Sequence, residues 1–155
     1  QIEEVSRDNL VEARALVAGR GPSALSSGGM DAALRRLAQA QGRRGVEVSL
    51  CAPAPADLPP ALQVVVLRLV QEALSNVVRH ARAERADVLV SAHDGELVVV
   101  VGDDGVGAGG APEGTGLTGM RSRVESLGGT LAVAPLRANG PGGRNGTVIE
   151  ARMPL

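Results

Sequence analysis

The stretch "LRLVQEALSNVVRH", Leu67 to His80, is an apolar helical sequence that carries one stripe of polar side chains. The helix is predicted to run from about Pro60 to Arg82, because proline suits the first turn of a helix. At 3.6 residues per turn, the polar side chains fall within an arc of about 100°. They are Arg68, Glu72, Ser75, Asn76 and Arg79. A stripe of this kind is most commonly a solvent-facing surface, so the pattern alone does not establish a site.

Three side chains of this stripe also form a chemically coherent set. Glu72 offers a carboxylate, Asn76 a neutral oxygen and Arg79 a fixed positive charge. Mg²⁺ takes few protein oxygens and keeps water and phosphate as its other ligands, so the two oxygen donors suit a magnesium–triphosphate complex. Arg79 would neutralise phosphate charge through forked hydrogen bonds. Taken alone, the stripe favours ATP binding and an ordinary surface about equally.

The glycine-rich stretch "GDDGVGAGG", Gly102 to Gly110, follows a predicted strand and contains the spacing G-x-G-x-x-G. A dinucleotide-binding turn requires those glycines to lead directly into a helix. Here "APEGTG" follows instead, and the acidic residue at the expected distance, Glu125, falls inside a later predicted helix. The spacing is therefore interpreted as a coincidence within a glycine-rich loop, and the simplest alternative is a solvated turn.

A second glycine cluster, "GTGLTGM" from Gly114 to Met120, begins the next predicted helix. A helix that starts in small residues presents free backbone N–H groups and the positive end of its dipole. Phosphate groups bind at such a helix start, and glycines let them approach the backbone closely. The acids at the strand end and the glycines at the helix start would therefore hold opposite ends of one nucleotide.

The composition is that of a soluble globular chain and excludes several kinds of partner. Of the 155 residues 44% are hydrophobic and 21% charged, the formal net charge is −1, and no aromatic residue is present. Without aromatic stacking groups or a basic block, the chain is not expected to bind nucleic acid. The single Cys51 and the two histidines, His80 and His93, argue against a disulfide and a zinc site. The apolar runs fall far short of a membrane span and no signal peptide opens the chain, so a cytoplasmic setting is expected by default.

The order of the predicted elements indicates an α+β fold. Helices are predicted at Ile2–Ala18, Met30–Gln41 and Leu117–Leu127, and Gly128 would end the last of them as a glycine cap. Strands are predicted in "GVEVSL", on both sides of the Asp94-Gly95 turn, in "TLAVAPL" and in "GTVIEARMPL". The tight hairpins favour a two-layer sandwich, a mixed sheet with helices on one face, over a doubly wound parallel sheet.

Four blocks of the sequence together resemble the ATP-binding domain of bacterial sensor histidine kinases. The blocks are "VQEALSNVVRHARAERADV", "VVVVGDDGVGAGG", "GTGLTGMRSRVESLGGTL" and "GTVIEARMPL", and the resemblance runs in order from about Leu25 to Leu155. It is closest to the subfamily whose response regulators carry a helix-turn-helix output domain. The resemblance implies the Bergerat ATP-binding sandwich, which agrees with the predicted element order, and it implies the cofactors ATP and Mg²⁺.

The resemblance also implies roles for individual residues. Asn76 would coordinate Mg²⁺ and act in catalysis together with Glu72, a second ligand or an organiser of water. Asp103 would accept a hydrogen bond from the adenine amino group, and Thr147 would lie under the adenine through a water. Arg79 and His80 would lie on the phosphate side, and Gly105 and Gly107 would line the base and ribose. The remaining implied contacts form the phosphate-side anchor of a short lid of residues 108–115. They are Gly116, Leu117, Gly119 and Met120.

The chain departs from the family in lacking a phosphoacceptor motif. Sensor kinases phosphorylate a histidine in an "ELHD"-like motif on a dimerisation helix, and no such motif occurs here. Residues 1–24 are interpreted as the end of a dimerisation helix with its linker, and residues 25–155 as the catalytic ATP-binding domain. The chain is therefore expected to be a fragment of a homodimeric kinase whose partners are its own dimerisation domain and a response regulator. Membrane anchoring of the parent kinase is left open.

Two other classes of function are compatible with the same residues. An anti-sigma-factor serine kinase or a hydrolytic ATPase on this fold would bind the same nucleotide, and a hydrolase would use Glu72 as the base for water. A degenerate domain would sense nucleotide or bind a partner without catalysis. The intact Asn76, Asp103 and Gly116 argue against that last alternative.

Overall fold

The structure is a computed structural model that describes residues 28–54, 57–107, 114–136 and 146–155. The helices in these ranges are α1 (Gly29–Gly42), α2 (Pro60–Asn76), which continues into the π-helical turn Val77–Ala81, and α3 (Thr115–Ser126). The strands are β1 (Glu47–Cys51), β2 (Arg85–His93), β3 (Glu96–Asp103), β4 (Thr130–Leu136) and β5 (Gly146–Pro154). The predicted helix at Ile2–Ala18, the domain boundary near residue 24 and most of the predicted lid lie outside the described residues.

The described strands form one mixed sheet in the order β1-β2-β3-β5-β4. β1 and β2 are parallel, because helix α2 lies between them in the chain and serves as their crossover. The other neighbouring pairs are antiparallel. In the turn between β2 and β3, Asp94 has φ 51° and Gly95 has φ 78°, the left-handed conformations that a tight hairpin turn uses. The predicted hairpin is therefore confirmed.

The sheet buries the apolar side chains of one face beneath the helices. Alternate residues are buried along β3 and most of β2, as expected for strands with one covered face. The register places Val88 opposite Val101 and Val90 opposite Val99, so these buried side chains share that face. Leucine and valine side chains of α2 and Val124 of α3 complete the core. The predicted α+β architecture with helices on one face is confirmed.

The end of helix α2 differs from its prediction. The regular α-helix stops at Asn76, and the π turn that follows is ended by Arg82 in a left-handed conformation with φ 50°. A π turn closes hydrogen bonds one residue further along the chain than an α-helix does, so it winds more loosely. Side chains after Asn76 are therefore rotated from the positions that a regular helix would give them, and Arg79 lies on this π turn instead of on a regular helix.

One further expectation is corrected. Helix α3 begins at Thr115 instead of Leu117, because the carbonyl of Gly114 accepts the N–H of Thr118 at 3.2 Å and closes an earlier turn. The continuous segment Pro60–Ala81 is 22 residues long and passes a test for membrane spans by length and composition alone. Half of its most apolar window is buried inside the domain, so its packing is that of the central helix of the fold.

Candidate nucleotide-binding site

The carboxylate of Asp103 lies at the end of β3, and only 6% of the residue is exposed. Its Oδ1 accepts a hydrogen bond from the N–H of Gly105 at 2.8 Å, and the backbone N–H of Thr147 also donates to the carboxylate. Burial raises the pKa of Asp103 above its ordinary value of 3.8, the two N–H donors oppose that rise, and the charge of Asp104 adds to it. Asp103 is thus a buried acceptor held in a fixed orientation.

The register of β3 and β5 places Thr147 beside Asp103. Gly102 pairs with Val148, so Asp103 and Thr147 are the next neighbours along the two antiparallel strands. Gly146 packs directly on the backbone of Asp103, where an added Cβ would lie 2.6 Å from the carbonyl carbon. A side chain at position 146 would therefore push the two strands apart. The sheet thus brings together Asp103 and Thr147, both predicted to serve the adenine.

The glycines that follow Asp103 pack against the protein itself. Gly105 is buried, and an added Cβ would lie 2.7 Å from the Cβ of Ala81 in the π turn. The N–H of Val106 donates to the carbonyl oxygen of Ala81 at 2.8 Å. Gly107 has φ 78°, a left-handed conformation that favours glycine. The need for glycine at position 105 therefore comes from the close approach of the π turn, while its contact with a base and ribose stays a prediction.

The predicted magnesium and phosphate groups are divided between the end of α2 and the π turn. Glu72 and Asn76 are half-buried and one helical turn apart on α2. Arg79 and His80 are exposed on the π turn. The side-chain oxygens of Glu72 and Asn76 are therefore held by the packed helix, whereas Arg79 and His80 are exposed on its looser continuation.

The start of helix α3 lies against Glu72. An added Cβ on Gly116 would lie 3.0 Å from the carboxyl carbon of Glu72, which places this carboxylate beside the first turn of α3. Gly114 precedes the helix and has no side chain that could cap its first N–H groups. No acidic residue lies in the first turn of α3 itself. The positive end of the α3 dipole therefore faces the predicted magnesium ligand.

Three other predicted residues of α3 differ in their surroundings. Met120 is 2% exposed and belongs to the hydrophobic core, so it anchors the helix from within. Leu117 is half-buried and packs against that core. Gly119 is half-buried, and an added Cβ there would lie 3.3 Å from Nη1 of Arg123. Of the phosphate-side anchor residues, Gly116 is the one that the described contacts place against the end of α2.

The residues present fit a magnesium–nucleotide complex better than a preformed metal centre. In the described part of the chain, no group of three or more His, Cys, Asp or Glu side chains could hold a metal ion by itself. Mg²⁺ that is bound together with a nucleotide needs only one or two protein oxygens, because phosphates and waters fill its other positions. Glu72 and Asn76 would supply such oxygens, and the start of α3 would supply N–H groups for phosphate.

Sequence reasoning missed one well-connected residue, Asp104. Its Oδ1 accepts the backbone N–H groups of Glu84 and Arg85, both at 2.9 Å, and its own N–H donates to the carbonyl of Arg85 at 3.2 Å. The sequence signal is the pair Asp103-Asp104, strand-end acids that favour a nucleotide-binding role, with an ordinary turn as the alternative. A carboxylate directly after a strand is a common acceptor for nearby backbone N–H groups, and that is its role here.

Residues 62–155 match the family model of the histidine kinase-, DNA gyrase B- and HSP90-like ATPases. The chain belongs to this family, and ATP is accordingly the nucleotide of its site. Within the family, the chain is an ATP-binding catalytic domain of the sensor histidine kinase type, as the following relatives show.

The chain is 36% identical over 153 residues to the sensor histidine kinase YxjM of Bacillus subtilis (strain 168), covering 97% of this chain and 36% of that protein. It is 32% identical to the oxygen sensor histidine kinase NreB of Staphylococcus carnosus (strain TM300), covering 100% of this chain and 45% of that protein. Among solved structures, the blue-light activated histidine kinase of Erythrobacter litoralis EL346 superposes with a TM-score of 0.65 at 30% identity, covering 80% of this chain and 44% of that one. The chain thus spans less than half the length of these relatives.

Proposed function

We propose that this domain binds Mg²⁺-ATP and that the intact kinase transfers the γ-phosphoryl group to a histidine of its dimerisation domain. The phosphoryl group would then pass to an aspartate of a response regulator. The kinase would act as a homodimer, with this domain in the cytoplasm. The observation that carries the proposal is the contact of Glu72 with the first turn of α3, because it joins the predicted metal ligand to the predicted phosphate site.

Each part of the site has a distinct task in this proposal. Asp103 accepts the adenine amino group, and the N–H groups at the start of α3 hold phosphate oxygens. Asn76 and Glu72 would hold Mg²⁺, which would supply positive charge to neutralise the phosphates. Arg79 and His80 would approach the phosphates from the π turn. The protein contribution is mainly the positioning and electrostatic neutralisation typical of phosphoryl transfer.

Titration of the native chain with ATP, with and without Mg²⁺, tests the binding part. Saturable binding that is strengthened by Mg²⁺ is expected, and the absence of any ATP binding would rule out all the enzymatic alternatives together. A non-catalytic nucleotide sensor would bind ATP equally well but would fail in the transfer assay.

Transfer from γ-labelled ATP tests the catalytic part. We expect label on the histidine of the parent kinase's own dimerisation domain when that domain is supplied, and no such label when Asn76→Ala replaces the native chain. Rapid release of inorganic phosphate without a labelled protein would instead favour a hydrolase, and label on a serine would favour a serine kinase. Ser75→Ala is a matched control, since Ser75 is a half-buried neighbour on the same helix.

A further inference from the structure

Asp104 bonds the loop that follows Asp103 to the beginning of β2, a few residues after the π turn that carries Arg79 and His80. Its carboxylate Oδ1 holds the N–H groups of Glu84 and Arg85 at 2.9 Å each, at the beginning of β2. A further bond runs from its N–H to the carbonyl of Arg85 at 3.2 Å. Residue 104 is thus bonded to the beginning of β2 by both its side chain and its backbone.

A second attachment lies two residues further along the same loop. The N–H of Val106 donates to the carbonyl of Ala81 at 2.8 Å, and Gly105 packs on Ala81. The connection from Ala81 to Arg85 is therefore fixed at both of its ends by the loop that follows Asp103. This connection begins in the π turn that carries Arg79 and His80, and it passes through Arg82 in a left-handed conformation.

The two attachments differ in the atoms that form them. The bond from Val106 uses backbone atoms alone and survives any side-chain change. The bonds to Glu84 and Arg85 depend on one carboxylate oxygen, and those two residues are exposed, so water would replace the lost acceptor. Removing the side chain of Asp104 would therefore loosen the connection without leaving a buried unpaired group.

We propose that Asp104 is a positioning residue that holds the far end of the connection after the π turn of Arg79 and His80 against the adenine-binding loop of Asp103. This inference rests on the proposed ATP site. In this role Asp104 does not touch the nucleotide. Together with the backbone bond from Val106 to Ala81, it sets the distance between the adenine end and the phosphate end, so its loss weakens the binding of ligands that must reach both ends at once.

The test compares the binding of ATP and of adenosine by the native chain and by Asp104→Ala, well below the unfolding temperature of each. We expect the ratio of adenosine Kd to ATP Kd to fall about tenfold in Asp104→Ala, the change that corresponds to one hydrogen bond to a charged group. Asp104→Asn keeps an amide oxygen that can accept both N–H groups, so it should restore most of the native ratio. Asp87→Ala, a change at an exposed aspartate of β2, should leave the ratio unchanged.

Several results would overturn the inference. A native ratio in Asp104→Ala would show that the bonds serve folding alone, even if the unfolding temperature falls. Failure of Asp104→Asn to restore the ratio would show that charge, and not the hydrogen bonds, matters. If Asp104→Ala does not fold, Asp104→Ser decides, since a short hydroxyl cannot reach both N–H groups and should show the same fall in the ratio. A native chain that binds adenosine but not ATP would refute the proposed function itself, and with it this inference.

Discussion

Under the proposed role of Asp103, replacing it with asparagine should remove the preference of the site for adenine. The amide oxygen must take the place of Oδ1, because the N–H of Gly105 donates to that position at 2.8 Å. The amide NH₂ group is then forced into the position of the other carboxylate oxygen. In that position it would face the amino group of adenine, and two donors cannot form a hydrogen bond with each other.

The magnitude follows from the charge and the burial of the lost acceptor. A hydrogen bond to a charged group contributes about 1.5–3 kcal/mol, and at about 1.4 kcal/mol per tenfold the ATP Kd should rise about 10- to 150-fold. The fold should survive, because the variant removes a carboxylate whose ionisation burial opposes. We expect the unfolding temperature to change by less than about 5 °C, the shift that roughly 1 kcal/mol produces in a domain of this size.

The decisive assay is a competition between ATP and inosine triphosphate, measured by calorimetric titration. Inosine carries a carbonyl where adenine carries its amino group, so the NH₂ group of the introduced asparagine can donate to it. Asp103→Asn should therefore bind inosine triphosphate at least as tightly as it binds ATP, whereas the native chain should prefer ATP. A native preference for ATP in a folded Asp103→Asn variant would refute the assignment of Asp103 to the adenine amino group.

Three further predictions concern metal dependence, packing and pH. Asn76→Ala should reduce the factor by which Mg²⁺ lowers the ATP Kd, while the adenosine Kd stays unchanged. In titrations, an unchanged effect of Mg²⁺ on the ATP Kd would contradict the ligand role of Asn76. Gly105→Ala should destabilise the domain by about 1–3 kcal/mol in urea unfolding, because its Cβ overlaps the backbone of Ala81, whereas Gly42→Ala, with nothing within 4 Å, should be neutral or stabilising. The pKa of Asp103 is raised on folding, so its contribution to stability is present below about pH 3.8 and is lost as the pH rises through the higher folded pKa. As the pH rises across that range, the free energy of unfolding of Asp103→Asn should therefore increase relative to that of the native chain. Parallel pH profiles of the two proteins would show that folding does not raise the pKa of Asp103.

The sequence predicted the elements of the fold well because their signals are local. Alternation of apolar residues in "ELVVVV", the Asp94-Gly95 turn and the glycine that follows α3 each depend on a few neighbouring residues. Gly128 has φ 76° and its N–H donates to the carbonyl of Glu125 at 2.9 Å, as expected of a glycine cap. Such local patterns form the same structure in almost any tertiary context.

The features that the sequence did not predict arise from contacts between distant segments. The π turn after Asn76 ends at Ala81, whose carbonyl oxygen accepts a hydrogen bond from the N–H of Val106. The role of Asp104 depends on residues 84 and 85, which only the pairing of β2 with β3 brings near. Helical periodicity carries no information about such partners, so it predicts a regular helix through the residues that form the π turn.

The positions of the two histidines bear on the proposed transfer to a histidine outside this domain. Asp103 pairs with Ala86 near the start of β2, and the π turn immediately precedes that strand, so both lie at the same edge of the sheet. His93 ends β2 and, at about 3.3 Å per residue, is about 23 Å from that edge along the strand. His80 stands on the π turn among the groups that would hold phosphate, where transfer would destroy its own binding role. A histidine on a separate domain that swings to the site satisfies both constraints. His93→Ala should therefore leave transfer to a supplied dimerisation domain unchanged, and label found on His93 itself would show that the acceptor lies within this chain.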